Sequence, residues 1–280
     1  MLSSDIIRKI EGFVYSKPRS VQEIAHLLNK NWRTVDRYID EIAKEYGTLS
    51  VRTFREGTRG ALKIVYWSAI EKISKSVFQE QLEENIFKGK SKTDFAGFDI
   101  FQYVDDKNKN AWIKKGIDES DAGRLKEFRD ILFEAKKQIL FFSGNLSFIN
   151  FDDGKVNVFD ILEEIAKKGV SIKIICRVDW ISKENIERIL NLNLKYGKEV
   201  IEIRHREQPL RATIIDNKLV NIKEVKEPTG RKNELNEKLF IFYTINDREW
   251  IEWITKIFWK MFNACLNARK RLDELKKIKA

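Results

Sequence analysis

The residues with chemistry to offer fall into two kinds. Nucleophiles and metal ligands are scarce: the chain holds two histidines and two cysteines in 280 residues. His26 and His205 are far apart in sequence, and Cys176 and Cys265 sit in apolar runs without metal-ligand spacing. Gly57-Thr58-Arg59-Gly60 reads as a hairpin tip, because no strand-to-helix passage surrounds it. No catalytic residue, metal site or cofactor site is expected from these patterns. The second kind is cations grouped to grip an anion. Arg33, Thr34 and Arg37 open one helical stretch, and Arg52, Arg55, Arg59 and Lys63 stud a following ribbon. Arginine forks and hydroxyls at a helix start suit base edges in a major groove, and cations on a ribbon suit phosphates.

Those cations need elements to hold them. Ser20 and Glu23 have capping-box spacing, and Val21, Ile24, Ala25 and Leu28 give the following helix one apolar face. Asn29-Lys30-Asn31 makes a turn. The next helix starts near Trp32, with Val35, Ile39, Ile42, Ala43 and Tyr46 as its stripe and Gly47 as its end. Two strands follow, Leu49 to Phe54 and Ala61 to Trp67. A leading helix over residues 3 to 16 completes the core. The sum is a winged helix-turn-helix over residues 1–68, with His26 a partly buried packing residue.

Composition agrees with a polyanionic partner. The net charge is +10 at pH 7, with 42% hydrophobic and 11% aromatic residues. Charge interrupts the start, so no signal peptide is expected, and no apolar run is long enough to span a membrane. Buried thiols point to a reducing, cytoplasmic setting.

Residues 69–119 read as a linker helix and loop, with a strand over Phe95 to Val104 and a charged loop from Asp105 to Asn110. The linker helix would pack within the chain or pair with its copy in a dimer. From about residue 120 to 280, helices and strands alternate. Strands are expected at Gln138 to Ser143, Val170 to Val178, Val200 to Ile203, Leu210 to Ile215, Leu219 to Val225 and Lys238 to Thr244. That alternation predicts an α/β domain on a mixed, largely parallel sheet, so the chain is α+β overall. The last helix carries Trp250, Trp253, Ile254, Ile257, Phe258, Met261 and Phe262, an arc wide enough for deep burial or a subunit interface.

The back half resembles the phospholipase D-like domain, in the single-copy form found behind winged helices in TrmB-type archaeal regulators. The resemblance rests on four stretches in order. These are the strand ending Ser143-Gly144-Asn145, the passage from Glu163 to Val170, the segment from Arg211 to Lys218, and the Trp-rich closing helix. Active members of that superfamily carry His, any residue, Lys, four residues, Asp. The histidine attacks phosphorus, and two such motifs make one site. On this resemblance Arg211 takes the lysine position, Asp216 the aspartate position and Pro209 the histidine position. Proline has no nucleophile. His205 stands four residues upstream, a displacement of roughly 13 Å along a strand. No phosphodiesterase activity is therefore expected.

The leading expectation is a regulator that binds double-stranded DNA as a homodimer. Trp32, Arg33, Thr34, Arg37, Arg52, Arg55, Arg59 and Lys63 would make its contacts. Asn145, Arg211 and Asp216 would hold a small anionic or sugar-like effector. The alternatives are a nuclease or phosphodiesterase delivered to DNA, and a scaffold whose winged helix binds protein. In the structural alternative at the second site, Arg211 pairs with Asp216 or Glu207.

Overall fold

The Ser20 hydroxyl accepts the Glu23 amide at 3.1 Å, and the Glu23 carboxylate accepts the Ser20 amide at 2.7 Å. This reciprocal cap starts helix α2 (Val21–Leu28), between α1 (Ser4–Ser16) and α3 (Trp32–Glu45). Asn29 closes α2 in the left-handed region, and Asn31 caps α3 through the Arg33 amide. Strand β1 (Arg19–Ser20) joins β2 (Leu49–Arg55) and β3 (Ala61–Trp67) in the order β1-β3-β2. This is a winged helix. Ile10, Ile24, Val35, Ile39 and Ile42, all completely buried, fill its core. His26 is exposed, not packed as expected, because it lies on the outer side of α2. The computed structural model describes residues 2–55, 61–68, 75–115, 122–152, 154, 157–228 and 237–278.

The body is an eight-stranded sheet in the order β11-β7-β6-β5-β8-β9-β10-β4. Its strands are β4 (Lys109–Lys115), β5 (Gln138–Phe142), β6 (Ser171–Cys176), β7 (Ile201–His205), β8 (Ala212–Ile215), β9 (Leu219–Lys226), β10 (Leu239–Ile245) and β11 (Leu266–Asn267). The α/β class holds, and so does the mixed sheet, but the sheet is not largely parallel. Only β5-β6 and β6-β7 run parallel; the five other pairings are antiparallel. Helices separate β5, β6 and β7 and allow parallel crossovers. Short turns link β8 to β9, where Asp216 and Asn217 both take positive φ, and such turns permit only antiparallel return.

The strand expected over Phe95 to Val104 does not form, and Gly97–Phe101 is helix α5 instead. The expected loop at Asp105 to Asn110 becomes a short 3-10 turn leading into β4, which pairs with β10 along Lys109 to Lys115. Helices α6 (Ala122–Phe133), α7 (Val158–Lys167), α8 (Lys183–Tyr196) and α10 (Ala268–Ile278) cover one face of the sheet. Helices α4 (Lys75–Lys88), α5 and α9 (Arg248–Ala264) cover the other. The wide apolar arc of α9 is buried within the chain, with Trp250 1% and Phe258 0% exposed. Leu82 and Ile86 of α4 pack into the same core, so the linker helix needs no second copy.

The winged helix and the body share that core. Phe54, Leu62 and Ile64 of the wing join Phe98, Phe101 and Tyr243 of the body in one apolar cluster. The Phe54 ring lies 6.1 Å from Phe98 and 6.3 Å from Tyr243, both edge to face. Gly97 lets α5 approach so closely, since an added Cβ would meet Tyr243 and Ile222 at 2.9 Å. Among the described residues no helix is long and apolar enough to cross a membrane.

Candidate nucleic-acid interface

Helix α3 presents its first turns outward. Arg33 and Arg37 are exposed, and neither makes an ion pair with a described residue. Thr34 lies between them, half-buried. Trp32 packs against the three-helix core, and the Arg33 guanidinium stands 5.5 Å from its ring. Trp32 therefore props the helix start rather than offering a free ring. Along α3, Arg33 and Arg37 lie in the first half with Asp36 between them, and Asp40, Glu41 and Lys44 follow. The Arg33 and Thr34 amides are spent on Asn31, so the helix start offers its arginines rather than open amides.

The wing is committed differently from the expectation. Lys63 Nζ lies 2.6 Å from Asp36 of α3, which ties ribbon to helix. Arg52 meets Asp106 of the body at 3.2 Å and stands 5.1 Å over the Phe101 ring. Both cations are engaged inside the chain. Arg59 lies outside the described residues, as does the side chain of Arg55. Of the eight residues assigned to DNA, Arg33, Thr34 and Arg37 are the described ones set at an outward helix tip.

A second cationic place lies at the carboxyl ends of β5, β6 and β7. Arg211 donates to the carbonyls of Leu210 at 2.6 Å and Gln208 at 3.2 Å. Its guanidinium lies against Gly144, where an added Cβ would stand 2.7 Å from a guanidinium nitrogen. Burial, then the neighbouring Arg177, pushes its pKa down to about 10. It pairs with neither Asp216 nor Glu207. Asp216 sits at the far end of β8 and accepts the amides of Lys136, Lys137 and Gln138 at 2.7–2.9 Å. It anchors the start of β5, so the structure does not bring Asp216 together with Arg211. Asn145, half-buried, accepts the Ser147 amide at 3.2 Å.

The nucleophile position is closed. Pro209 is buried against Gly89 at the end of α4, where an added Cβ would meet it at 2.7 Å. His205 accepts the Val178 amide on Nδ1 at 2.9 Å, and burial and Arg271 hold its pKa below the ordinary value. Among the described residues no group of three or more His, Cys, Asp or Glu side chains is placed to hold a metal ion.

The sequence reading missed the polar joint between the modules. Lys226 of β9 lies 3.3 Å from Glu23 of α2 and 3.1 Å from Glu224 of β9. Glu224 also accepts the Tyr243 hydroxyl at 3.1 Å and the Phe98 amide at 3.2 Å. Burial draws the Lys226 ammonium toward neutrality, but Glu224 and Glu23 outweigh it and raise its pKa. The signal was period two: Val220, Ile222, Glu224 and Lys226 share one face of β9, so the charges continue an apolar row into the core.

No family model matches the chain, and no curated protein sequence matches it. Similar solved structures include Nuc, a phospholipase D family member from Salmonella typhimurium. It is 18% identical over 57% of this chain and 97% of its own, with a TM-score of 0.40. TrmBL2, described as an archaeal chromatin protein with a novel mode of DNA binding, is 16% identical. The match covers 95% of this chain and 94% of its own, with a TM-score of 0.39. A phosphatidylserine synthase from Haemophilus influenzae Rd KW20 is 11% identical over 61% of this chain and 46% of its own, with a TM-score of 0.38. At such TM-scores these likenesses carry no weight for function, which rests on the chain's own side chains.

Proposed function

We propose that this chain is a regulator that binds double-stranded DNA through the first turns of α3. Arg33, Thr34 and Arg37 read base edges, and the body holds the reading head in place. One observation carries the proposal: two arginines stand exposed and unpaired with any described residue at the tip of a winged-helix second helix. Arginine forks left in water at such a place suit guanine edges and phosphates. Because Arg52 and Lys63 are held by Asp106 and Asp36, the grip centres on α3 more than on the wing base. Reading half-sites as a homodimer in the cytoplasm belongs to the same proposal.

The body acts as a sensor and scaffold and does not cleave phosphodiesters. Arg211 supports the sensor role: it is a largely buried guanidinium held by carbonyls, without a carboxylate among the described residues. A small anion beside Asn145 would complete it. An electrophoretic shift on random duplex across salt concentrations tests the DNA reading. Binding that weakens steeply with salt is expected, and a protein scaffold gives none.

A further inference from the structure

A cleft of about 250 Å³ opens where the winged helix meets the body. This is far above the ~10–15 Å³ that one water needs. It is lined by Lys17, just after α1, by Asn85 and Lys88 of α4, and by Asp94, Phe95 and Asp99 of the body.

Two opposed groups are incompletely answered. Asp99 is only 8% exposed, yet it lines the cleft. Its Oδ2 accepts the Ala96 amide at 3.1 Å, while its Oδ1 accepts no hydrogen bond from a described residue. Across the cleft the Lys17 ammonium donates to the Thr93 carbonyl at 2.6 Å, which uses one of its three protons. No carboxylate of a described residue comes within 4.0 Å of it. Lys17 and Asp99 still feel each other's charge. Both line the cleft, and they lie more than 4.0 Å apart.

A plain anion would satisfy Lys17 and set a second negative group against Asp99. A plain amine would satisfy Asp99 and leave Lys17 without a carboxylate. We propose that the cleft binds a small zwitterion of the α-amino acid class. The ammonium goes to Asp99 Oδ1 and the carboxylate to Lys17, with Lys88 at the mouth and the Phe95 ring under the side chain. Such a ligand carries both of the charges that the two side chains can answer. It would bridge a residue of the reading head to one of the body. The proposal stands apart from DNA binding, and its test does not use DNA.

Calorimetry of the full chain against each free L-amino acid tests it, with acetate and ethylamine as single-charge probes. At least one amino acid should bind while neither single-charge probe does at the same concentration. Asp99→Asn and Lys17→Gln should each weaken binding by about tenfold or more, the scale of one charge-assisted hydrogen bond. Lys88→Gln, whose exposed ammonium is already paired with Glu84 at 3.0 Å, should leave binding within about twofold. Near-UV circular dichroism checks that each variant keeps the native fold. Absence of binding by every amino acid would overturn the site. So would equal binding of acetate or ethylamine, or wild-type affinity in folded Asp99→Asn or Lys17→Gln.

Discussion

The Glu23 carboxylate, which caps α2 of the winged helix, stands 3.3 Å from the Lys226 ammonium on β9 of the body. Lys226 in turn touches Glu224 at 3.1 Å. One nearly buried lysine neutralises two carboxylates from two modules. Replacing it leaves buried Glu224 without a counter-charge and Glu23 with only Arg19 at 3.9 Å. Lys226→Met should cost about 3–5 kcal/mol, the cost of orphaning a buried charge. A urea titration at neutral pH measures this, and a loss under 1 kcal/mol would show that the joint is solvated.

The wing base and the body should unfold together. Phe54 is 6% exposed and lies between Phe98, Phe101 and Tyr243. Two modules with a common core share one cooperative transition. Phe54→Ala should cost about 3–5 kcal/mol and leave the transition single or split off the winged helix at lower temperature. Calorimetry reads this directly, and two separate transitions in the wild type would refute the shared core.

Asp99 should make the chain less stable as pH rises toward neutral. Burial, and to a lesser extent Glu224, pushes its pKa up to about 7, above the ordinary 3.8, against the opposing Ala96 hydrogen bond. Between those values the folded chain holds a proton that the unfolded chain has released. Stability contributed by the protonated carboxyl is therefore full below about 3.8 and is lost as pH rises to about 7. Glu23 has the opposite sign: its pKa is lowered, since Lys226 and the Ser20 bonds outweigh burial. Its contribution is present above its unfolded value and disappears in acid. Asp99→Asn should remove the fall between pH 4 and 7 and leave the acid limb unchanged. Urea midpoints at unit pH steps check this, and an unaltered slope would place Asp99 in solvent.

The body should lack phosphodiesterase activity. Pro209 occupies the histidine position of the motif that the chain resembles and is packed against Gly89. His205 spends Nδ1 on the Val178 amide. Purified protein should leave bis(p-nitrophenyl) phosphate and supercoiled plasmid intact without added metal. Turnover that disappears in His205→Ala would contradict this.

Most elements were legible because local rules and burial agree in this chain. The Ser20–Glu23 cap, the Asn31 cap and the stripe of α3 are local chemistry, and each forms where its residues place it. Strands β5 to β10 are apolar runs bounded by turns. What failed was long-range. Phe95 to Val104 is apolar enough for a strand, yet Gly97 lets α5 settle on Tyr243, and contacts distant in sequence decide the matter. The direction of β8 and β9 depends on the Asp216-Asn217 turn, whose φ values no periodicity reveals. At the candidate site, residue type marked Arg33 and Arg37. It could not reveal that Arg52 and Lys63 have acidic partners 54 and 27 residues away.

The central claim is that α3, rather than the wing base, reads the duplex. Its most direct test is the affinity ratio between a footprint-selected duplex and a random one, measured at fixed salt. Wild type is compared with Arg33→Ala, Arg37→Ala and Arg52→Ala. Each α3 substitution should lower the ratio by about 1–3 kcal/mol, the value of a bidentate base contact. Arg52→Ala should leave it within about twofold, because Asp106 already holds that side chain. Wild-type discrimination in both Arg33→Ala and Arg37→Ala would contradict the account.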